Sequence, residues 1–260
     1  LSDYPHNSSH ASFSSDARFV AIEAAGQLHL WKLPDAKKVL HLTGASLLAF
    51  SPDGRFMLTA RKRKVTLWQL HTIRPIRSFW AEKAIFSPNS RFMFTARKRK
   101  VTLWQLRPIR PIRSFYVRNK IAELLFSNAG TFLAVRGHNL SVLVRNVKKK
   151  RTVFRMQIAR PKPLHSRGRR NLRYTGQLFF TPKDRRIVYW DKYRYSPLMQ
   201  VWSTETGRKL KGTPSSLGWK VHALQGNRWA LLHSNGETIL WDLDDLKQPP
   251  PTKKADIYYH

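Results

Sequence analysis

The chain has 260 residues, and its 42% hydrophobic share, with nine Trp, 14 Phe and eight Tyr, is typical of a globular protein rather than a disordered one. It has no cysteine, which excludes disulfides, thiolate nucleophiles and cysteine-ligated zinc. The net charge is +33, and residues 54–183 hold 32 basic and two acidic residues, whereas the remainder holds 16 basic and 13 acidic ones. Charge concentrated in one sector indicates a surface that faces a polyanion.

The N-terminal stretch LSDYPHNSSH has no basic start and no apolar segment, so we predict no signal peptide there. No apolar run approaches the roughly 20 residues that span a bilayer, and we expect no membrane association. Because the chain does not begin with Met, we expect it to be a processed product or a piece of a larger protein.

One unit recurs six times along the chain. The clearest copies are FMLTARKRKVTLWQL at 56–70 and FMFTARKRKVTLWQL at 92–106, which lie 36 positions apart and differ only at Leu58 and Phe94. A turn segment such as FSPDG precedes each VTLWQL-like segment. In chain order the six copies cover residues 13–31, 50–68, 86–104, 126–145, 180–202 and 221–243. A period in this range indicates a solenoid, a propeller or an array.

Each copy alternates apolar and polar residues in short β-rich segments, and turn signals such as SPDG, SPNS and SNAG separate these segments. No long helical periodicity occurs. Four short strands in about 40 residues form the blade of an all-β propeller, which we therefore predict. Pro75, Pro108 and Pro111 suit outermost edge strands, where a missing N–H breaks no ladder.

The units resemble those of WD-repeat β-propellers, on FSPDG after the innermost strand and on LWQL, or Trp241-Asp242-Leu243, at the end of the third strand. The resemblance covers residues 13–246 and implies a propeller of four-stranded blades, six from the recognisable copies or seven if another segment completes the ring. It implies that residues 1–12 are an N-terminal segment and a candidate ring-closing strand. We expect a basic insertion at about 155–177 and a C-terminal tail at 247–260.

The chain departs from the family at one turn. Family members carry an Asp six positions before the Trp, in the turn between the second and third strands, where it helps to hold the blade through hydrogen bonds. The corresponding residues here are Ala25, Lys62, Lys98 and Asn235. We therefore expect blades that depend on strand pairing and on Phe and Trp packing, with no interior polar network.

The candidate nucleic-acid-binding residues form clusters in the basic sector. Blade geometry taken from the family implies that the two RKRK turns emerge on one face of neighbouring blades, where eight close positive charges repel unless a partner neutralises them. The candidates are Arg61, Lys62, Arg63 and Lys64; Arg97, Lys98, Arg99 and Lys100; Arg107, Arg110 and Arg113; Lys148, Lys149, Lys150 and Arg151; and Arg167, Arg169, Arg170 and Arg173.

Aromatic residues punctuate the basic runs at Phe79-Trp80, Phe115-Tyr116 and Tyr174. Such residues offer surfaces on which unpaired bases stack. For Trp80 and Tyr116, however, we expect packing between blades.

The chain shows no catalytic constellation and no Gly-rich phosphate loop. His6 and His10 have the spacing of a helical metal pair, but they stand in a polar terminus with no third ligand. We expect no enzyme activity, no metal and no cofactor.

These patterns predict a non-catalytic scaffold in a nucleoprotein complex, whose sector 54–183 contacts RNA or DNA phosphates, RNA being slightly favoured, and which also binds other protein subunits. The alternative is a protein-interaction or sensor domain of a larger multidomain effector, whose basic face docks an acidic protein. We expect an intracellular location, the cytoplasm first, with an organelle or the nucleus left open.

Overall fold

The computed structural model of the protein describes residues 10–158, 176–191, 198–210, 220–225, 229–234 and 237–243. Over these residues the regular elements are all β-strands, and they form six sheets in chain order. Within the described residues, no helix has the length and hydropathy that a membrane span requires.

Four of the sheets have four strands each. The first consists of β1 (His10–Phe13), β2 (Phe19–Ala24), β3 (Gln27–Lys32) and β4 (Lys37–Thr43). The second consists of β5 (Ser46–Phe50), β6 (Phe56–Arg61), β7 (Lys64–Gln69) and β8 (Arg74–Trp80). The third consists of β9 (Lys83–Phe86), β10 (Phe92–Arg97), β11 (Lys100–Leu106) and β12 (Ile109–Tyr116). The fourth consists of β13 (Ile121–Phe126), β14 (Phe132–Gly137), β15 (Ser141–Asn146) and β16 (Arg151–Gln157).

The fifth and sixth sheets have three described strands each. These are β17 (Gln177–Phe180), β18 (Arg186–Asp191) and β19 (Leu198–Ser203), then β20 (Lys220–Gln225), β21 (Trp229–Ser234) and β22 (Glu237–Asp242). In every sheet, strands that follow each other in the chain are neighbours, so the topology is a repeated meander. Pro75 and Pro111 lie in β8 and β12, which are edge strands, as the sequence predicts.

A serine fixes the turn between the first and second strands of each of the first four sheets. In the second sheet the Ser51 hydroxyl donates to Asp53 Oδ1 at 2.6 Å and accepts the Phe56 N–H at 2.9 Å. The same residue types therefore recur here because the buried hydroxyl links both arms of the turn. Ser14, Ser87 and Ser127 accept the corresponding N–H groups of Phe19, Phe92 and Phe132.

The chain divides into two compact units. The first contains the described residues up to Leu124 together with Val135–Asn139, and the second contains Leu125–Ala134 and the described residues from Leu140 onward. In the first unit, apolar clusters lie between successive sheets: one holds Leu28, Leu30 and Met57, and another holds Leu58, Leu67 and Met93. In the second unit the apolar cluster contains Trp202, which is buried, and Tyr189, which is the largest of the fully buried side chains described.

Adjacent turns are also tied to each other within a unit. In the first unit Gly54 has a φ of +66°, and a Cβ there would lie 2.5 Å from the Asp16 carboxyl group, so a side chain at this position would have to displace that carboxyl group. In the second unit the buried Asp184 accepts the backbone N–H groups of Asn128 and Ala129 at 2.7 and 2.8 Å. These contacts join the turn of one sheet to the turn of the next.

The expectation that the blades have no interior polar network is wrong for the second and third sheets. Trp68 Nε1 donates to Thr59 Oγ1, and Trp104 Nε1 donates to Thr95 Oγ1, both at 2.9 Å. Both threonines are buried. Each of these tryptophans therefore both packs between strands and satisfies a buried hydroxyl.

Candidate nucleic-acid interface

The two RKRK segments form tight turns at equivalent places in consecutive sheets. Arg61 pairs with Lys64, and Arg97 pairs with Lys100, so each turn has two central residues. Lys62 and Lys98 have φ values of +54° and +52°, a left-handed conformation that lysine adopts with some strain. All eight side chains of these turns are exposed.

None of these eight cations has a carboxylate partner among the described residues, where the ion pairs involve other side chains. The opposite end of the same sheets is partly neutralised, since Arg55 and Arg107 lie 3.9 and 3.7 Å from Asp53. Arg74, Arg91 and Arg110 at that end are exposed and have no carboxylate partner among the described residues. The RKRK end, with eight such cations, therefore carries more of the unneutralised positive charge of the second and third sheets.

A groove of about 590 Å³ runs along this end between the second and third sheets. We call it the basic groove. Its lining includes five cations, four aromatic rings and no carboxylate: Arg77, Arg97, Lys98, Arg99 and Lys100, with Phe79, Trp80, Trp104 and Tyr116. A cationic wall with aromatic rings and hydroxyl groups suits a polyanion that also presents flat apolar surfaces.

Cation–π contacts hold two guanidinium groups in the basic groove. The Arg77 guanidinium lies 5.1 Å from the ring centroid of Trp104, and the Arg97 guanidinium lies 5.9 Å from that of Trp80. Phe79 packs edge-on against Trp104 at 4.7 Å. These contacts reduce the rotamer freedom that the arginines would otherwise lose on binding a ligand.

The pKa of His138 reports the same positive environment. Burial lowers this pKa below its usual value of 6.5, and the nearby Lys120, Lys83 and Arg136 lower it further. The Glu82 carboxylate opposes the shift but does not overcome it. Positive side chains therefore outweigh the negative one around His138 as well.

The structure separates the other predicted residues from the RKRK turns. Arg107 and Arg110 follow the far end of β11, about 20 Å along the strand from Lys100 at 3.3 Å per residue. Arg110 donates to Gln105 Oε1, and Arg113 lies in the edge strand β12, opposite Leu103. These three arginines therefore lie on the edge strand and at the far end of the third sheet, and they do not line the basic groove.

The remaining predicted cations lie in the second unit or outside the described residues. Lys148, Lys149 and Lys150 form the turn between β15 and β16, and Arg151 begins β16; all four are exposed. Residues 155–157 of the predicted insertion belong to β16. Arg167, Arg169, Arg170 and Arg173 lie outside the described residues, as do Tyr174, His6, Asn235, the segment 1–9 and the tail 247–260.

The expectation that Trp80 and Tyr116 pack between blades is wrong. Their side chains are 71% and 73% exposed, whereas the preceding Phe79 is buried. Strand alternation places the two side chains of a Phe-Trp or Phe-Tyr pair on opposite faces of the sheet, but it does not decide which faces are covered, since the adjacent Phe179 and Phe180 of β17 are both buried. Arg77, which also lines the basic groove, was not among the predicted binding residues.

No protein-family model and no curated protein matches the chain. Solved structures match the fold of the chain. Kuenenia stuttgartiensis Hydrazine Synthase superposes with a TM-score of 0.59 and 14% identity, over 94% of this chain and 78% of that one. The Cps50 (Swd1) beta-propeller domain of Myceliophteria thermophila superposes with a TM-score of 0.55 and 14% identity, over 96% and 88%.

The fold is a β-propeller. The six consecutive meander sheets and the superposition over nearly the whole chain agree on this point. At 14% identity the likeness carries the fold alone, so the partners and chemistry of those two proteins do not transfer to this chain.

Proposed function

We propose that this protein is a non-catalytic, WD-repeat-like β-propeller that serves as a binding module in a nucleoprotein assembly. Its basic sector contacts the phosphate backbone of RNA or DNA, and the near-neutral remainder meets other protein subunits. We favour RNA over DNA as the ligand because the Arg-rich composition of residues 160–173 is typical of segments that order on RNA.

One observation carries the proposal. The RKRK turns expose eight cations that have no carboxylate partner among the described residues, whereas at the far end of the same sheets Arg55 and Arg107 lie beside Asp53. Phosphates supply the missing counter-charge and release their condensed ions on binding, which makes the association favourable at low salt. Contacts of this kind position a nucleic acid without reading its sequence.

The test compares three variants that each remove four positive charges. The first changes the third-sheet turn by Arg97→Gln, Lys98→Asn, Arg99→Gln and Lys100→Gln, with Asn chosen because it tolerates the left-handed φ. The second changes Lys148, Lys149, Lys150 and Arg151 to Gln. The control changes Lys32, Lys37, Arg208 and Lys209 to Gln, all of which are exposed and lie outside the basic sector.

Each protein is titrated with labelled single- and double-stranded RNA and DNA across a salt series. For the parent we expect a steep fall of log affinity with log salt. The turn variant should show a shallower slope, by about 0.7 for each phosphate of a single strand that it no longer neutralises. The control should keep the slope of the parent, and the second variant shows whether the β15–β16 turn contributes.

The proposal fails if the parent binds neither RNA nor DNA at low salt. It also fails if the turn variant and the control have equal slopes, because the lost charge would then act without regard to position. Polyglutamate serves as a competitor in the same assay. If it binds the parent while nucleic acids do not, the RKRK turns dock an acidic protein instead.

A further inference from the structure

The basic groove exposes two large aromatic side chains that do not belong to the apolar core. Trp80 ends β8 and pairs with Lys64, and Tyr116 ends β12 and pairs with Lys100. Each ring therefore stands directly beside the end of an RKRK turn. Both rings are more than two-thirds exposed, which is informative because large aromatics normally bury most of their surface.

Equivalent positions in other sheets show that the fold does not require an aromatic residue there. In the first sheet Thr43 pairs with Gln27, and in the fourth sheet Gln157 pairs with Ser141. Among these four sheets, the exposed ring at this position occurs only in the two whose hairpin carries RKRK. The ring and the cations are thus two parts of one local arrangement.

The geometry of the basic groove suits a planar ligand. The Arg97 guanidinium stands over the Trp80 ring, and Tyr116 lines the same groove. A planar guanidinium and an exposed indole both stack on nucleobases, while the lysines beside them meet the phosphates. The groove volume of about 590 Å³ lies within the range of roughly 300–1,000 Å³ that is usual for small-ligand sites.

We infer that the basic groove is a stacking site for unpaired bases, so that the nucleic acid this protein binds is single-stranded. The inference rests on the proposed function and makes its ligand class specific. In a duplex the faces of the bases are covered by their neighbours, and an exposed Trp in a cationic groove then gains little. In a single strand, Trp80 and Tyr116 stack on bases while the RKRK side chains neutralise the backbone.

The experiment uses the full chain with Trp80→Ala, Tyr116→Ala and the double variant. Phe13→Ala is the matched control, because Phe13 is also an exposed aromatic, at 63%, and does not line the basic groove. Trp80→Phe serves as the rescue variant. The probes are a single-stranded oligonucleotide, an abasic strand of the same length, which keeps the phosphates and lacks the bases, and a duplex.

We expect each alanine variant to lose between about 5-fold and 150-fold in affinity for the single strand, the range for loss of one stacked base. The salt slope should not change, since all charges remain. Affinity for the abasic strand and for the duplex should equal that of the parent, and Trp80→Phe should recover most of the loss.

Two failures are distinguishable. If the parent binds nucleic acid with a steep salt slope and the alanine variants bind the single strand as well as the parent, the stacking inference is overturned and phosphate binding stands. If the variants lose as much affinity for the abasic strand as for the strand with bases, the rings support the structure of the groove and do not stack on bases. The inference is then overturned as well. If the parent binds no nucleic acid, the proposed function fails and the inference fails with it.

Discussion

The second and third sheets differ from the first and fourth in the chemistry of equivalent positions, not in their strand order. The first sheet makes the turn between its second and third strands with Ala25 and Gly26, both at positive φ, and these residues are neutral. The second sheet makes the same turn with Lys62 and Arg63. Because the neutral turn supports the same four-stranded meander, this strand order does not require cations in the turn. Under the proposed function the cations serve binding instead.

Side-chain contacts between neighbouring strands follow the same division. Trp68 and Trp104 bond to buried threonines, whereas in the first sheet Ile22 stands at the position of Thr59. On the same face of the first sheet, His29 stacks on His41 with ring centroids 4.7 Å apart, where the second sheet has a hydrogen bond between Thr66 and Ser78. The sheets thus share backbone architecture and differ in how the side chains between neighbouring strands are satisfied.

The largest effect on stability is expected from the interior bonds of the duplicated sheets. Thr59→Val or Thr95→Val removes the acceptor of a tryptophan N–H while keeping the side-chain shape. The free energy of unfolding should fall by about 1–2 kcal/mol per site, since a half-buried donor loses its partner. Denaturant unfolding followed by circular dichroism measures the change.

The control for this prediction is Thr66→Val, which removes a solvent-exposed hydrogen bond to Ser78 in the same sheet. Its effect should stay within about 0.5 kcal/mol. Equal losses of unfolding free energy in Thr59→Val and Thr66→Val would contradict the prediction. The buried hydrogen bond would then stabilise the sheet no more than the exposed one, and the difference from Ile22 of the first sheet would not affect stability.

A smaller and opposite effect is expected from the turn itself. Lys62 has a left-handed φ, which Asn tolerates better, and it lies among like charges. Lys62→Asn should therefore raise the free energy of unfolding by about 0.5 kcal/mol, through relief of backbone strain and of charge repulsion. Chemical denaturation at low and at high salt separates the two contributions.

Arg63→Gln is the matched control, since it removes one charge from the same turn without altering the left-handed residue. It should stabilise the protein only at low salt, where the repulsion is not screened. If the two variants behave alike at high salt, the strain at Lys62 contributes nothing. If both destabilise the protein, the cations support the turn and the comparison with Ala25-Gly26 is broken.

The smallest effect concerns pH and the histidine pair of the first sheet. Burial lowers the pKa of His29 below 6.5, and the charges of Lys38 and His41 lower it further. As the pH falls, the unfolded chain therefore binds a proton at this histidine before the folded chain does. The contribution of His29 to the free energy of unfolding is thus fully present above pH 6.5. Stability should fall as the pH drops below 6.5 and should level off below the pKa of the folded state.

Grafting the second-sheet pair, by His29→Thr and His41→Ser, should remove part of this dependence. Thermal unfolding between neutral and mildly acidic pH measures it. His138, whose pKa is also lowered, is present in both proteins, so the difference between the two curves isolates the grafted pair. Parallel curves would mean that the stacked histidines do not titrate differently in the folded and unfolded states.

Much of the fold follows from local patterns. The alternation in VTLWQL, the serine turns and the edge prolines Pro75 and Pro111 each act within one sheet, where neighbouring residues decide the conformation. The placement of the RKRK residues in turns could also be predicted, because it too depends on neighbouring residues. The blade membership of the strands followed from the 36-residue spacing of the two clearest copies.

The candidate site was only partly predictable. Sequence reasoning listed Arg107 among the candidate nucleic-acid-binding residues, but Arg107 lies at the end of the third sheet that is opposite the RKRK turn, 3.7 Å from Asp53 of the second sheet. It also buried Trp80, because Phe79 and Trp80 are equally apolar and only one of them can face the core. In both cases the deciding interaction joins residues of neighbouring sheets or faces, which no local pattern records.

The sequence by itself determined the repeated unit, the strand and turn residues and the one-sided charge, because strand alternation and turn conformation depend on residues a few positions apart. The tertiary structure alone decided which cations stay unpaired and which aromatic rings stay exposed. Those outcomes depend on which turn of one sheet lies beside which side chain of the next: Asp53 neutralises Arg107, and Arg97 comes to stand over Trp80. Charge pairing and burial are properties of packed neighbours, so they appear only when the sheets are assembled.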